Sequence, residues 1–167
     1  MSLGIHYPDL TPPPEWTQVH VGLQVRLVPP GETAASSAAA IVISPLVPRQ
    51  PNIPPPEKLI EEAIFYEARE HFEVQEQKGP TTVKSAAGLA GVSFDVVGYP
   101  RPAFPRERRV YVMYADALCY YGVSYVAAED AFAKHEKLFW AVAKSVRPFH
   151  GSVIKPEIAS PHAIYVE

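Results

Sequence analysis

The sequence predicts an α/β domain of the α+β kind, a mostly antiparallel sheet sandwiched between helices. Three observations predict it. Strand-like segments follow one another through short connectors, which pairs neighbours antiparallel. Only the first of two helical segments lies between strands, so only that helix can serve as a long crossover. Several strands, "AIVI", "VYVMY" and "LCYYGVSY", are apolar on both faces and require covering layers on both sides.

Taken in order, "VHVGLQVRL" alternates without interruption and predicts one strand. Val19, Val21, Leu23, Val25 and Leu27 share its buried face, with His20, Gly22, Gln24 and Arg26 opposite. "PPGETAASS" ends it as a loop. "AAAIVISPLV" is a second strand, apolar on both faces around Ile41 to Ile43 and limited by Pro45. The Pro-rich connector "PRQPNIPPP" then delivers a helix, with Pro56 near its first turn and Glu57 close behind. Ile60, Ala63, Ile64 and Phe72 form its apolar stripe, and Glu61, Glu62 and Arg69 face water.

"FEVQEQKGPTTVKSAAG" predicts a strand from about Phe72, a turn at Lys78-Gly79-Pro80, and irregular polar chain. "LAGVSFDVVGY" is another strand, with Val92, Phe94 and Val96 opposite Ser93 and Asp95. After the loop "PRPAFPRE", "RRVYVMYADALCYYGVSYV" forms a hairpin turning at Ala115-Asp116-Ala117, without the favoured Asn-Gly chemistry. "AAEDAFAKHEKLFWAVAKSV" is the clearest helix. Glu129 and Asp130 lie in its first turns and Lys144 and Arg147 in its last, matching the macrodipole. Its stripe runs Ala128, Phe132, Leu138 or Phe139, Val142 and Val146, and Pro148 stops it. The closing "AIYVE" is a candidate short edge strand. The predicted order is β-β-α-β-β-β-β-α.

A chain of 167 residues with 47% hydrophobic content suits a single domain, 1–167, with a core over about 14–149. A formal net charge of −3 lacks the basic excess of nucleic-acid binders, and none is expected as a partner. Nineteen prolines against nine glycines predict rigid, extended connectors. One cysteine excludes an internal disulfide. No apolar run approaches the roughly 20 residues of a membrane helix. The start has no basic n-region and no apolar h-region, so a cytoplasmic protein is expected. The alternative, a natural leader replaced by an added Met1-Ser2-Leu3, stays open.

The common nucleotide and hydrolase signatures, GxxxxGK[ST], GxGxxG and GxSxG, are absent. "HEKLF" starts like a zinc-protease helix at His135-Glu136, but Phe139 stands where the second histidine must be. The six histidines show no ligand spacing, so no metal and no cofactor are expected. Cys119 lies in an apolar strand without a nearby base and reads as a small buried hydrophobe.

Two features suit a partner surface. In "RPAFPRERR", Arg101, Arg106, Arg108 and Arg109 crowd around Phe104. Such a loop can hold an acidic partner with Phe104 as anchor, or be a solvated connector, the first reading of any charge-rich loop. Tyr111, Tyr114, Tyr120, Tyr121 and Tyr125 concentrate in the hairpin. Alternation splits them between faces. Tyr121 and Tyr125 share one with Cys119 and Val123, Tyr120 the other with Leu118, Gly122 and Ser124. Tyrosines buried under a helix are the first reading, and Tyr121 with Tyr125 is the pair to test for binding.

The stretch from Leu89 to Phe149 carries a pattern of strand, loop, hairpin and helix. It closes on Tyr125 to Ala127, Phe132, Phe139 and Ser145 to Phe149. The first half agrees more loosely, through Trp16 before a strand, "AAAIVISPLVP" and the helix after "PPPEKLI". Over residues 14 to 149 the chain resembles the bacterial DcrB-like proteins of the PsbP-like superfamily. The resemblance implies a PsbP-like antiparallel sheet between helices. Its relatives include a photosystem II extrinsic subunit, a Ran-binding nuclear import factor and type VI secretion chaperones, mostly adaptors without catalysis. It carries no catalytic set. The expected function is a non-enzymatic binding or accessory protein with another protein as partner, such as a secretion-associated chaperone. The alternatives are a small-ligand or lipid carrier with a pocket between helix and sheet, and an enzyme of unknown class.

Overall fold

The structure, a computed structural model, describes residues 5–33, 37–49, 52, 54–100 and 105–149. Its strands are β1 (Thr17–Val21), β2 (Gln24–Val28), β3 (Ala39–Ile43), β4 (Val47–Pro48), β5 (Glu73–Lys84), β6 (Ala90–Tyr99), β7 (Glu107–Ala115) and β8 (Cys119–Ala128). Its helices are α1 (Pro56–Glu70) and α2 (Phe132–Lys144), the latter led in by a 3-10 turn at Glu129–Ala131. One sheet runs in the order β1-β2-β3-β8-β7-β6-β5, with β4 also pairing β8. Every pairing is antiparallel. The passage through α1 carries the chain from β3 to the opposite edge. Three successive antiparallel connections then return it to β3. This is an α+β fold with helices packed on the sheet.

Register sorts the side chains into two faces. Val110, Val112, Tyr114, Cys119, Tyr121, Val123 and Tyr125 join Val25, Leu27, Ile41 and Ile43 under α2, which contributes Phe132, Phe139, Val142 and Ala143. Ile60 and Ile64 of α1 pack with Phe72, Phe94 and Val96 on the other face. The split of the tyrosines follows the alternation: Tyr114 joins the α2 core, whereas Tyr111 packs beside the α1 cluster. No helix among the described residues is long and apolar enough to cross a membrane.

The structure differs from the sequence reading in four places. First, "VHVGLQVRL" is a hairpin rather than one strand: Val21 pairs Gln24 across Gly22-Leu23. Gly22 has φ 60°, the left-handed backbone that the first central position of a type II′ turn requires. The turn transfers the odd-numbered residues from one face to the other. Val25 and Leu27 are buried under α2, while Val21 is exposed. Alternation alone cannot register this, because a two-residue turn leaves the period intact.

Second, Lys78-Gly79-Pro80 is not a turn between elements. It is an irregularity inside the long edge strand β5, with a register shift between Lys78 and Thr81. Both faces there are largely wet, so burial imposes no alternation. At Gly79 a Cβ would lie 2.7 Å from the Ser93 carbonyl oxygen, so the bulge depends on that close approach. Third, Ala63 is exposed; of the described α1 side chains only Ile60 and Ile64 are buried against the sheet. Fourth, β4 is a further short strand. The proposed edge strand "AIYVE" lies outside the described residues.

The hairpin turn does fall at Asp116. Its side-chain Oδ1 accepts the backbone N–H groups of Leu118 and Cys119 at 2.8 and 3.0 Å. This aspartate turn substitutes for the missing Asn-Gly.

Candidate functional site

The arginine-rich segment is absorbed into the fold. Arg101 and Phe104 lie outside the described residues. Arg108 belongs to β7 and forms a two-pronged pair with Asp95 of β6, at 2.9 and 2.5 Å, its guanidinium 4.1 Å above the Phe132 ring. Its pKa is raised, first by the Asp95 hydrogen bond. Arg106 pairs Glu129 at 3.4 Å. Arg109 points to the opposite face, hydrogen-bonded to Glu107 at 2.7 Å and 4.0 Å above the Phe72 ring. Strand alternation therefore divides the cluster, and Arg106, Arg108 and Arg109 each pair with a carboxylate of their own chain.

Tyr121 and Tyr125 share a face, but neither ring has any exposed surface. The Tyr125 hydroxyl donates to the Phe132 carbonyl at 2.7 Å, and its ring stacks on Phe139. The Tyr121 hydroxyl donates to Asp116 Oδ2 at 2.7 Å and accepts the Phe149 N–H at 2.8 Å. Burial pushes Tyr125 up to about 12 and raises Tyr121 as well. These groups hold the hairpin, α2 and the following chain together, and they offer a partner no surface. Burial also pushes the Cys119 thiol up to about 11, away from a nucleophilic thiolate. Among the described residues, no group of His, Cys, Asp and Glu side chains could hold a metal ion. His135 packs edge-on against Trp16, and burial lowers its pKa.

The feature that stands out lies on the α1 face. α1 covers β5, β6 and β7 but stops short of β8, β3 and β2. The uncovered half forms a groove of about 530 Å³. Register gives its floor row by row. One row crosses Gln24, Ser44, Gly122 and Met113. The next crosses Arg26, Val42, Ser124 and Tyr111. Val126 and Arg109 begin a third. Leu59, Ala63, Tyr66 and Glu67 of α1 make one wall, and Gln24 with Arg26 on β2 makes the other rim.

The floor is low because its side chains are small. At Gly122 an added Cβ would meet Met113 Cε at 3.4 Å, Ser44 Cβ at 3.5 Å and Ser44 Oγ at 3.7 Å, ordinary van der Waals separations that leave room for a small side chain. Beside the groove, Tyr66 is 65% exposed. The sequence reading placed Gly122 and Ser124 on one face but drew nothing from them. The usable signal was the small, polar run Ser44, Gly122, Ser124 where a doubly covered strand should carry bulk.

The sequence matches no known protein family and no curated protein. Among solved structures, the fold is similar to a protein of unknown function from Pseudomonas aeruginosa at 12% identity. That alignment covers 81% of this chain and 98% of the other, with a TM-score of 0.49.

Proposed function

We propose that this chain is a non-enzymatic binding protein that holds a segment of a partner protein in the groove beside α1. The single observation that carries the reading is the half-covered α1 face. A sheet that needs layers on both sides is covered by α1 over β5, β6 and β7, and the groove lies where that helix ends, over β8 and β3. Two strands span roughly 10 Å, the width of one helix or extended segment laid on a sheet. The exposed ring of Tyr66 borders that seat. Adaptor or chaperone activity, including the secretion-associated kind implied by the DcrB-like resemblance, is the form this reading takes.

A second reading is a small-ligand carrier. The groove volume of about 530 Å³ falls within the range of small-molecule sites, roughly 300–1,000 Å³. Its open side favours a polypeptide, because a carrier encloses most of its ligand.

The test is affinity capture from a lysate of the source organism, comparing the natural chain with Gly122→Trp. The indole would rise from the floor between Met113 and Ser44. A specific protein recovered by the natural chain and lost with the filled groove is the expected outcome. Equal recovery by both, or no specific protein at all, would sink the reading.

A further inference from the structure

We infer that the occupant of this groove is a polypeptide segment that presents an aspartate or glutamate carboxylate to Arg26. The inference rests on the groove reading and adds the chemistry of the bound segment. Arg26 stands in the middle of β2, paired with Val19 on one side and Val42 on the other. Register points it to the α1 face, where it lines the rim. Its Nε is withdrawn from solvent without a hydrogen-bond partner, and no ion pair to it occurs among the described residues.

The contrast with the other described arginine side chains is informative. Arg49 donates to the Asp116 carbonyl, Arg106 pairs Glu129, Arg108 pairs Asp95, Arg109 pairs Glu107, and Arg147 pairs Asp9. Arg26 alone among them has no such partner. A guanidinium donor buried without an acceptor costs free energy that a bound carboxylate would recover.

The groove's own acids do not serve. Glu107 stands on β7, three strand spacings from β2 or roughly 14 Å, and is already bonded to Arg109. Glu67 lies 4.0 Å from Arg109, across the groove from Arg26. One unpaired cation matches one carboxylate better than a multiply charged phosphate. Gln24, Ser44 and Ser124 nearby supply donors and acceptors for backbone amides, whereas Val42, Val126 and Met113 take apolar side chains. The matching segment therefore carries one acid among apolar residues.

The test is selection from a displayed library of random 16-residue peptides against the natural chain. Binders lost with Gly122→Trp, and independently with Ala63→Trp from the α1 wall, are kept as groove-dependent. Circular dichroism establishes that each variant is folded. The expected result is enrichment of one Asp or Glu flanked by apolar residues. For such a peptide, Arg26→Gln in the protein should weaken binding about tenfold to a hundredfold. Glu→Gln in the peptide should do the same, and the two changes together should cost little more than either.

Groove-dependent peptides that lack an acid, or bind Arg26→Gln equally well, would overturn the inference and leave the groove reading standing. An absence of groove-dependent peptides would overturn both. Calorimetry with dodecanoate and dodecanol forms a separate arm. Groove-dependent binding of dodecanoate without any peptide binder would make the occupant a small acid and refute the polypeptide.

Discussion

Beneath α2, the rings of Tyr121, Tyr125, Phe132 and Phe139 are at most 1% exposed, and the Tyr125 hydroxyl bonds to the chain entering the helix. Across the same strands, Tyr66 is about two thirds exposed beside a floor of Ser44, Gly122 and Ser124. The two faces are built from alternate residues of the same strands and differ in side-chain size. Large rings on the α2 face interlock with a helix over the centre of the sheet. Small groups on the α1 face, Ser44, Gly122 and Ser124, line the groove beyond the reach of α1. The closed face therefore holds most of the buried core, and the proposed binding belongs to the open face.

The largest test of this contrast is Phe139→Ala. Phe139 is fully buried between Tyr125 and Trp140, and truncation should cost about 3–5 kcal/mol in denaturant unfolding. A loss below about 1 kcal/mol would mean that the α2 face is not the stabilising one.

Alkaline titration is the next test. Burial pushes Tyr114 and Tyr125 from the ordinary 10.0 up to about 12. A raised folded pKa favours the neutral phenol, so this stability is full below pH about 10 and is lost as pH rises to about 12. Tyrosinate absorbance should rise in step with the loss of near-ultraviolet circular dichroism. Ionisation of all the tyrosines with that spectrum unchanged would contradict the burial.

Tyr114→Phe is a smaller perturbation. It removes the 2.8 Å bond from the Tyr114 hydroxyl to the Ala143 carbonyl, which keeps only the longer 3.4 Å bond from the Val146 N–H. The expected loss is about 1–2 kcal/mol, seen as a lower denaturant midpoint at unchanged slope. The smallest effect belongs to the open face. Ser124→Ala in the groove floor should change stability by no more than about 0.5 kcal/mol. A loss comparable to that of Tyr114→Phe would show that the floor is structural.

The two faces also differ in how legible they are. Alternation separates Tyr120 from Tyr121 and groups Tyr121 with Tyr125 and Cys119, and all three positions follow that pattern. The α2 stripe was readable at Phe132, Val142 and Val146, while the choice between Leu138 and Phe139 fell to Phe139 only in the structure and Ala128 belongs to β8. The groove was not readable. Of the described α1 side chains only Ile60 and Ile64 are buried, so its apolar pattern does not mark where it stops. Arg26 was legible as the wet side of a strand. Its lack of a partner is not a local property.

By itself, the sequence determined the antiparallel sheet, the crossover role of the first helix, the hairpin turn at Asp116 and the face to which each hairpin tyrosine points. These follow from periods and turn residues, which act over a few neighbours. Only the tertiary structure decided that Gly22 turns the first strand back on itself and that β5 runs unbroken along an edge. It alone placed Arg106, Arg108 and Arg109 in pairs with carboxylates of the same chain. It alone left Arg26 unpaired beside an uncovered floor. Alternation carries no record of what lies opposite, whether the partner is near in the chain, as across Gly22-Leu23, or far, as for Arg108 with Asp95.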